Sequence, residues 1–204
     1  MTQARKTYDR IAPLYDILDG PYEKVWKSAA RRKVFAGLRG RILDAGAGTG
    51  CNFSAYPPGC EATACDASAA MLARADMRAR RMRLNVALRQ TDLTALDLPS
   101  AHFDAYVATF VFACLDEGQL LPALREAGRV TRRAGEIRIV DYCMSQRPLT
   151  RFGMRVMAPW LKFTFAATYQ PATEDYFDAA GLEKIEERLI FGDVLKMTRL
   201  RPRS

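Results

Sequence analysis

A run of closely spaced glycines follows a short apolar segment near the start of the chain. Asp44, Gly46, Gly48 and Gly50 alternate with small residues directly after the run Arg41–Ala45, which is typical of a buried strand. Glycine adopts positive φ angles at little cost and has no Cβ, so the backbone can approach a ligand closely. In an open parallel sheet, ligands bind beyond the carboxyl ends of the strands. The spacing therefore predicts a ligand-binding loop here.

Two further acids follow the next predicted strands. Asp66 ends the run Glu61–Asp66, about 20 residues after the loop, where a carboxylate can accept hydrogen bonds from both hydroxyls of a ribose. Asp92 follows the run Asn85–Arg89, where an acid can accept from an adenine amine while the N–H of Leu93 meets the ring. Each acid alone is also typical of a strand end. Together they predict an adenosine ligand.

The spacing of the loop also distinguishes between adenosine ligands. A dinucleotide fingerprint needs its third glycine at position 51, which is Cys51, whereas here that glycine is Gly50. Asp44 would repel a pyrophosphate but suits the ammonium of a methionine moiety. The pattern therefore favours an adenosine that carries methionine over a dinucleotide.

These motifs resemble those of the class I S-adenosylmethionine-dependent methyltransferases. The similar segments are ILDAGAGTG, CDASAAML, TDL and FDAYVATFVF. The resemblance implies S-adenosyl-L-methionine as the cofactor. The cofactor-binding residues that it implies are Asp44, Gly46, Ala47, Gly48, Asn52, Asp66, Ala67, Met71, Asp92, Leu93 and Thr109.

Within that family, the segment Tyr8–Lys27 resembles the N-terminal part of the ubiquinone/menaquinone-biosynthesis C-methyltransferases. The same branch includes small bacterial phosphatidylethanolamine N-methyltransferases. Two departures stand out: Arg133-Ala134-Gly135 replaces the usual Pro-Gly-Gly, and the stretch Leu18–Pro21 is shorter than in the quinone enzymes. The shortening favours a phospholipid or small-amine acceptor over a quinone.

No single side chain is identified as a catalytic base. An amine acceptor needs little side-chain chemistry, because burial beside a positive sulfonium lowers the pKa of an ammonium. The candidates for positioning the acceptor are Tyr8, Tyr15, Tyr142, Phe110 and Arg147, with aromatic packing as the alternative role for the tyrosines. His102, the single histidine, is predicted in a surface turn.

The segment Arg147–Phe165 mixes apolar and basic residues. Its apolar members include Met154, Met157, Trp160, Leu161 and Phe165, and its basic members are Arg147, Arg151, Arg155 and Lys162. This composition suits a lid over an apolar, phosphate-bearing substrate or a helix at a membrane interface. A helix that merely covers the sheet edge is the alternative.

The order of the predicted elements indicates an α/β fold with a doubly wound, Rossmann-like sheet. The sheet is expected to be mostly parallel, with an antiparallel C-terminal hairpin. We expect a single domain, 1–204, with an N-terminal helical segment, 1–36, and a lid-like insertion, 144–170. The predicted helices are 22–35, 68–83, 117–132 and 174–180, the last ending at Gly181, and the predicted strands are 41–45, 61–66, 85–89, 103–112, 136–142, 184–190 and 194–200.

Composition narrows the functional class. Hydrophobic residues make up 49% and charged residues 26% of 204 residues, as in globular proteins. No run reaches the roughly 18 apolar residues of a membrane-spanning helix, so a cytoplasmic location is expected. Five cysteines without C-x-x-C spacing and one histidine predict reduced thiols and no metal site, with Cys51 as the most reactive thiol.

The net charge of +8 is concentrated in two stretches. These contain Lys24, Lys27, Arg31, Arg32, Lys33, Arg39 and Arg41, and then Arg74, Arg78, Arg80, Arg81 and Arg83. Such clusters either attract an anionic surface, here the inner face of the cell membrane, or are solvated helix faces. Nucleic acid is an unlikely partner, because no Asn-Pro-Pro-Tyr motif or appended recognition module is present, and no obligate protein partner is inferred.

Three hypotheses about function follow. The first is N-methylation of phosphatidylethanolamine at a membrane surface. The second is methylation of a soluble small molecule (an amine, thiol or phenol) or of a quinone precursor. The third is a non-enzymatic binding protein with the same fold, which the intact glycine loop, Asp66 and Asp92 disfavour.

Overall fold

The structure is a computed structural model that describes residues 3–15, 17, 20, 27–169 and 172–203. Several features of the N-terminal prediction lie outside these residues. They are the start of the predicted helix at Tyr22, the basic Lys24, and Leu18, Asp19 and Pro21 of the shortened stretch.

Seven strands form one sheet in the order β3-β2-β1-β4-β5-β7-β6. Strands β1 to β5 are parallel, and β7 pairs antiparallel with both β5 and β6. Their bounds are β1 Arg41–Ala45, β2 Glu61–Asp66, β3 Val86–Gln90, β4 Phe103–Thr109, β5 Thr131–Tyr142, β6 Leu182–Phe191 and β7 Leu195–Pro202. The predicted doubly wound sheet with an antiparallel C-terminal hairpin is confirmed.

The described residues form five α-helices, and helices cover both faces of this sheet. They are α1 Gln3–Ile11, α2 Ser28–Phe35, α3 Ala69–Met82, α4 Glu117–Val130 and α5 Pro148–Phe165. The apolar stripe of α4, including Leu124 and Ala127, packs on Leu43 and Tyr106 of one sheet face. Val34 of α2 and its neighbours pack on the opposite face. Because both faces are covered, the central strands β1 and β4 are almost continuously buried.

Local sequence explains where two helices begin. Ser68 caps α3, since its Oγ accepts from the backbone N–H of Met71 at 3.1 Å. Asp116 and Gln119 form a reciprocal capping box at the start of α4. These caps position the N-terminus of each helix next to the carboxyl end of a strand.

The predicted helix 174–180 is wrong. The chain instead forms a short 3-10 helix, Thr173–Tyr176, followed by turns in which the N–H of Leu182 bonds to the carbonyl of Phe177 at 2.9 Å. The segment spans only two helical turns, so packing of Phe177 into the core decides its conformation. Gly181 still has the expected positive φ, +72°.

Other boundaries differ from the predictions at strand ends. Strand β4 ends at Thr109 rather than 112, because Phe110 adopts a φ of +61° and a 3-10 turn, Phe112–Cys114, follows. Strand β5 begins at Thr131, so α4 ends at Val130 rather than 132. Gly135 permits this early pairing, since a Cβ there would lie 2.8 Å from the carbonyl oxygen of Asp104. Strands β3, β6 and β7 shift by one or two residues, whereas β1 and β2 have the predicted bounds.

No helix within the described ranges combines the length and apolarity needed to cross a bilayer.

Candidate functional site

A cavity opens beyond the carboxyl ends of β1, β2 and β4, and we call it the loop cavity. Most of the predicted site residues line it. They are Tyr8, Tyr15, Gly46, Ala47, Gly48, Asp66, Ala67, Met71, Asp92, Leu93, Thr109 and Phe110. Cys51, the thiol predicted to be most reactive, lines it too. Asp44, Asn52, Tyr142 and Arg147 are not among the lining residues.

The glycine loop turns tightly around the end of β2. The N–H groups of Gly46 and Ala47 both donate to the carbonyl of Cys65 at 2.9 Å. Gly46 has a φ of +71°, and a Cβ there would overlap the side chain of Val111. Gly48 has a φ of +56°, and nothing lies within 4 Å of the position its Cβ would take. The loop therefore needs Gly46 for packing, while Gly48 leaves space open on the cavity side.

Asp66 fixes the loop and faces the cavity at the same time. Its Oδ2 accepts from the N–H of Gly48 at 2.9 Å, and its Oδ1 accepts from the N–H of Ser68 at 2.9 Å. Burial raises the pKa of Asp66, although both backbone hydrogen bonds oppose the rise. Each carboxylate oxygen has a second lone pair. Asp66 can therefore accept two further hydrogen bonds from a ligand in the loop cavity.

Asp44 lies behind the loop, fully buried in β1. Its carboxylate accepts from Asn52 Nδ2 at 2.7 Å and from the Tyr56 hydroxyl at 2.7 Å. Burial raises the pKa of Asp44 to about 6, although these two hydrogen bonds and the positive charge of Arg31 each lower it. The structure thus shows Asp44 holding the base of the loop in place, and its contact with a ligand ammonium stays a prediction.

A buried arginine that sequence reasoning placed in a surface patch proves to be central to the site. Arg31 Nη1 donates to Asn52 Oδ1 at 2.5 Å and to Thr109 Oγ1 at 3.0 Å. Its guanidinium carbon also lies 5.4 Å from the ring centre of Phe110, and Lys27 Nζ lies 5.0 Å from the same ring. Both cations are buried. They place positive charge beside the wall that β4 contributes to the loop cavity.

At the far end of the cavity, Asp92 and Leu93 differ in exposure. The Asp92 carboxylate is exposed, and its Oδ1 accepts from the N–H of Thr94 at 2.9 Å and from the Thr94 hydroxyl at 2.8 Å. Leu93 is buried and presents an apolar wall. An apolar wall beside a hydrogen-bond acceptor suits a flat heterocycle with an amino group.

The other end of the loop cavity is aromatic. The Tyr8 hydroxyl lies 3.1 Å from Cys114 Sγ, and burial raises the pKa of Tyr8. The rings of Tyr8 and Tyr15 are 6.0 Å apart, and Tyr15 meets Phe165 of α5 edge-on at 5.9 Å. Tyr8 of α1 and Tyr15 therefore close this end, and Phe165 of α5 packs against Tyr15.

Tyr142 and Arg147 lie farther from the loop. The Tyr142 ring packs on Phe110 at 5.4 Å and on Tyr169 at 5.4 Å, so it supports the wall from behind. Arg147 is exposed at the N-cap of α5. The lining residues that sequence reasoning did not select are Arg31, Thr49, Ser68, Val111, Cys114, Leu115 and Gln119. Of these, Ser68 carried a recognisable signal, as a helix cap within the segment CDASAAML.

Comparisons with known proteins agree on one family. Residues 42–135 match a family described as "Methyltransferase domain". The chain is 35% identical to a phosphatidylethanolamine N-methyltransferase of Cereibacter sphaeroides over 62% of this chain and 63% of the relative. It is 30% identical to the ubiquinone/menaquinone biosynthesis C-methyltransferase UbiE of Syntrophotalea carbinolica, over 71% of this chain and 63% of the relative. The matched region thus spans less than two thirds of each relative.

A solved structure is similar across nearly the whole fold. The structure titled "DhpI-SAH complex structure" superposes with a TM-score of 0.71 at 20% identity and covers 98% of this chain and 96% of its own. At this identity the likeness concerns the fold alone.

Proposed function

Because this chain belongs to the class I S-adenosylmethionine-dependent methyltransferases, we propose that it methylates the amine of phosphatidylethanolamine at a membrane surface. S-adenosylmethionine is the cofactor. The observation that carries the phospholipid part of the proposal is an exposed apolar stripe on α5, flanked by basic residues.

The loop cavity has groups that fit each part of this cofactor. Asp66 would accept from the ribose hydroxyls, Asp92 from the adenine amine, and buried Leu93 would contact the ring. The open backbone at Gly48 gives room for close approach. When bound, the cofactor supplies a methyl group already activated on a positive sulfonium.

Two buried cations favour an amine acceptor in its reactive, neutral form. Lys27 and Arg31 both lie against the ring of Phe110, which lines the loop cavity. Nearby positive charge and burial lower the pKa of an ammonium, so the amine more readily loses its proton. The same positive charge suits the phosphodiester of a phospholipid head group. Tyr8 and Tyr15 would enclose the acceptor and exclude water.

Helix α5 has two apolar stripes on opposite faces. The buried stripe consists of Met154, Leu161 and Phe165, and the last two pack with Cys114, Tyr8 and Tyr15. The exposed stripe recurs every three or four residues and consists of Leu149, Phe152, Val156, Trp160 and Phe163. Leu149 is 84% and Phe163 is 77% exposed. The buried stripe alone is enough for α5 to pack against the protein core. The additional, exposed apolar stripe is typical of a helix that lies in a membrane interface.

Basic residues flank the exposed stripe. At 3.6 residues per turn, Arg151, Arg155 and Lys162 fall along one side of the helix, between the two apolar stripes. Each such charge near an anionic surface contributes about 1 kcal/mol of attraction. The arrangement therefore favours an anionic bilayer over an apolar protein groove.

The second candidate function is C-methylation of a quinone precursor. A specific observation favours it, since the match to the UbiE relative covers more of this chain than the match to the phospholipid enzyme. An apolar acceptor of this kind would also suit the aromatic end of the loop cavity.

A transfer assay with three acceptors separates these candidates. The protein is incubated with methyl-labelled S-adenosylmethionine and anionic vesicles containing phosphatidylethanolamine, with free ethanolamine, or with a demethylated quinol in the same vesicles. We expect label in the phospholipid fraction and less than a tenth of that rate with the other acceptors. Label confined to the quinol or to free ethanolamine would overturn the proposal.

The double variant Phe152→Ser and Phe163→Ser tests the membrane surface directly. We expect at least a tenfold loss of co-sedimentation with anionic vesicles, because each phenylalanine contributes about 1.5–3 kcal/mol when fully buried and about half of that in an interface. Binding of S-adenosylhomocysteine should be unchanged, since neither residue contacts the loop cavity.

A matched control is Met77→Ser, which removes a residue of α3 that is 60% exposed. It should leave vesicle binding unaltered. Equal vesicle binding by the double variant and the unmodified protein would contradict the role of α5.

A further inference from the structure

A second pocket lies at the carboxyl end of β5, between the sheet and the segment 172–177, and we call it the Asp141 pocket. The polar residues that matter here are Asp141, Thr173, Glu174, Asp175 and Lys196, all of which line it. Among the described residues, none lines both this pocket and the loop cavity.

Two buried polar side chains in this pocket are unsatisfied. Asp141 is 7% exposed and Thr173 is 5% exposed. Within the described part of the chain, neither carboxylate oxygen of Asp141 nor the hydroxyl oxygen of Thr173 has a hydrogen-bond partner. Burying such groups without partners costs about 1–3 kcal/mol each, and more for an ionised carboxylate. Folded proteins seldom retain such groups without a functional reason.

The lysine of the pocket does not neutralise Asp141. Lys196 Nζ forms an ion pair with Glu174 and lies 3.8 Å from Glu187 Oε1. With Asp141 and Asp175 also present, the lining carries three acids and one lysine. The pocket therefore favours a cation over an anion.

We propose that the Asp141 pocket binds a primary ammonium group, held by Asp141 and Thr173. A primary ammonium has three N–H donors, and the pocket offers three unsatisfied oxygens. A quaternary ammonium has no N–H and cannot satisfy them.

The Asp141 pocket is separate from the loop cavity but lies next to it. Tyr142 follows Asp141 in β5, lines the Asp141 pocket, and packs on Phe110 of the loop cavity. Tyr142 thus lies between the Asp141 pocket and the Phe110 wall of the loop cavity. This second site goes beyond the proposed methyl transfer and does not depend on it.

Calorimetry with ethanolamine tests the site. The titration uses the full chain saturated with S-adenosylhomocysteine, so that the loop cavity is filled. We expect ethanolamine to bind, and choline to bind at least tenfold more weakly because it lacks N–H donors. Absence of ethanolamine binding by this S-adenosylhomocysteine-saturated protein would overturn the proposal, as would equal binding of choline.

The variants Asp141→Asn and Thr173→Val assign the ligand to these side chains. Loss of one charge-assisted hydrogen bond corresponds to about a tenfold or larger loss of affinity. We expect at least that for Asp141→Asn and a smaller loss for Thr173→Val. Asp178→Asn, an exposed acid outside the pocket, is the matched control and should bind normally. Normal ethanolamine binding by Asp141→Asn would contradict the assignment.

The pH dependence of stability gives an independent readout. Burial raises the pKa of Asp141 to about 8, whereas the nearby N–H of Ala113, which is outside hydrogen-bonding geometry, and the charge of Lys196 lower it. A bound ammonium would favour the ionised carboxylate and so displace this proton. Between pH 3.8, the ordinary value, and about 8, the folded state keeps a proton that the unfolded state releases, so stability falls as pH rises. The other titratable groups facing the pocket or lying beside it are Cys114, Cys143, Glu174, Asp175 and Lys196.

Without a ligand, Asp141→Asn should therefore melt higher than the unmodified protein, with a gain that grows from pH 4 to pH 8. If the Asp141 carboxylate had a purely structural role, Asp141→Asn would instead lower the melting temperature. A variant that melts lower across this range would overturn the inference.

A vesicle-binding experiment distinguishes whether the ammonium belongs to a lipid head group or to a free amine. If it is a lipid head group, phosphatidylethanolamine should strengthen vesicle binding and Asp141→Asn should abolish the gain. If it is a free amine, only the ethanolamine titration responds to the variant. Methyl transfer to the lipid with normal amine binding by Asp141→Asn would refute this site alone, whereas the reverse result would refute the proposed function alone.

Discussion

Replacing Asp66 with alanine should lower the affinity for S-adenosylhomocysteine by at least about a hundredfold. Hydrogen bonds to a charged group contribute about 1.5–3 kcal/mol each, and the carboxylate has one free lone pair on each oxygen for a ribose. The same change removes the acceptor for the N–H of Gly48, so the loop itself loses a constraint. Isothermal titration measures the affinity, and thermal unfolding separates ligand loss from loop destabilisation.

Two further variants test whether the loss of affinity is specific to the Asp66 carboxylate. Asp66→Asn keeps the shape and one acceptor oxygen, and should lose less affinity than the alanine variant. Asp97→Ala removes an exposed acid beyond β3 that does not line the loop cavity, and should bind normally. If Asp66→Ala also bound normally, the assignment of Asp66 to the ribose would be wrong.

Gly46→Ala should both destabilise the protein and abolish measurable cofactor binding. Alanine at a φ of +71° costs about 1–2 kcal/mol, and its Cβ would overlap Val111, which adds about 1–3 kcal/mol of overpacking. For a chain of this size the sum corresponds to a drop of roughly 5–15 °C in Tm. The displaced loop would also move the N–H of Gly48 from Asp66.

A control substitution at Gly59 distinguishes the cost of a positive φ angle from the cost of steric overlap with Val111. Gly59 has a φ of +76°, and nothing lies within 4 Å of the position of its Cβ. Gly59→Ala should therefore show the conformational cost alone, with intact cofactor binding. Adding Val111→Ala to Gly46→Ala should recover part of the lost stability. A Gly46→Ala protein no less stable than Gly59→Ala would show that the overlap is relieved elsewhere.

The parts of the site that follow from local sequence were predictable. Strands β1 and β2 have the bounds that their apolar runs indicate, because a buried parallel strand needs little beyond such a run and a turn. The acids at their ends then fall together by topology. Asp66 reaches the loop cavity for this reason.

The roles of Asp44 and Arg31 depend on contacts that no local pattern encodes. Both are buried, and they meet through Asn52, from separate elements of the fold. A charged residue in a basic stretch is usually exposed, so the sequence favours a surface position for Arg31. Only the packing of α2 against β4 shows that this arginine belongs to the site.

Helix α5 shows a different limit. Its sequence contains many apolar residues, but composition does not reveal which stripe faces the core. The structure buries Met154, Leu161 and Phe165, whereas Phe152 and Phe163 face outward. The distinction arises from the contacts of Leu161 and Phe165 with Cys114 and Tyr15. Which surface α5 meets is therefore a question for experiment.

Mass spectrometry of the lipid product tests the central claim most directly. The protein is incubated with S-adenosylmethionine carrying a deuterated methyl group and with anionic vesicles that contain phosphatidylethanolamine. We predict that the labelled methyl appears on the head-group nitrogen, and that Asp66→Ala eliminates the signal. An unlabelled phospholipid, recovered from a protein that binds S-adenosylhomocysteine normally, would contradict the proposed function.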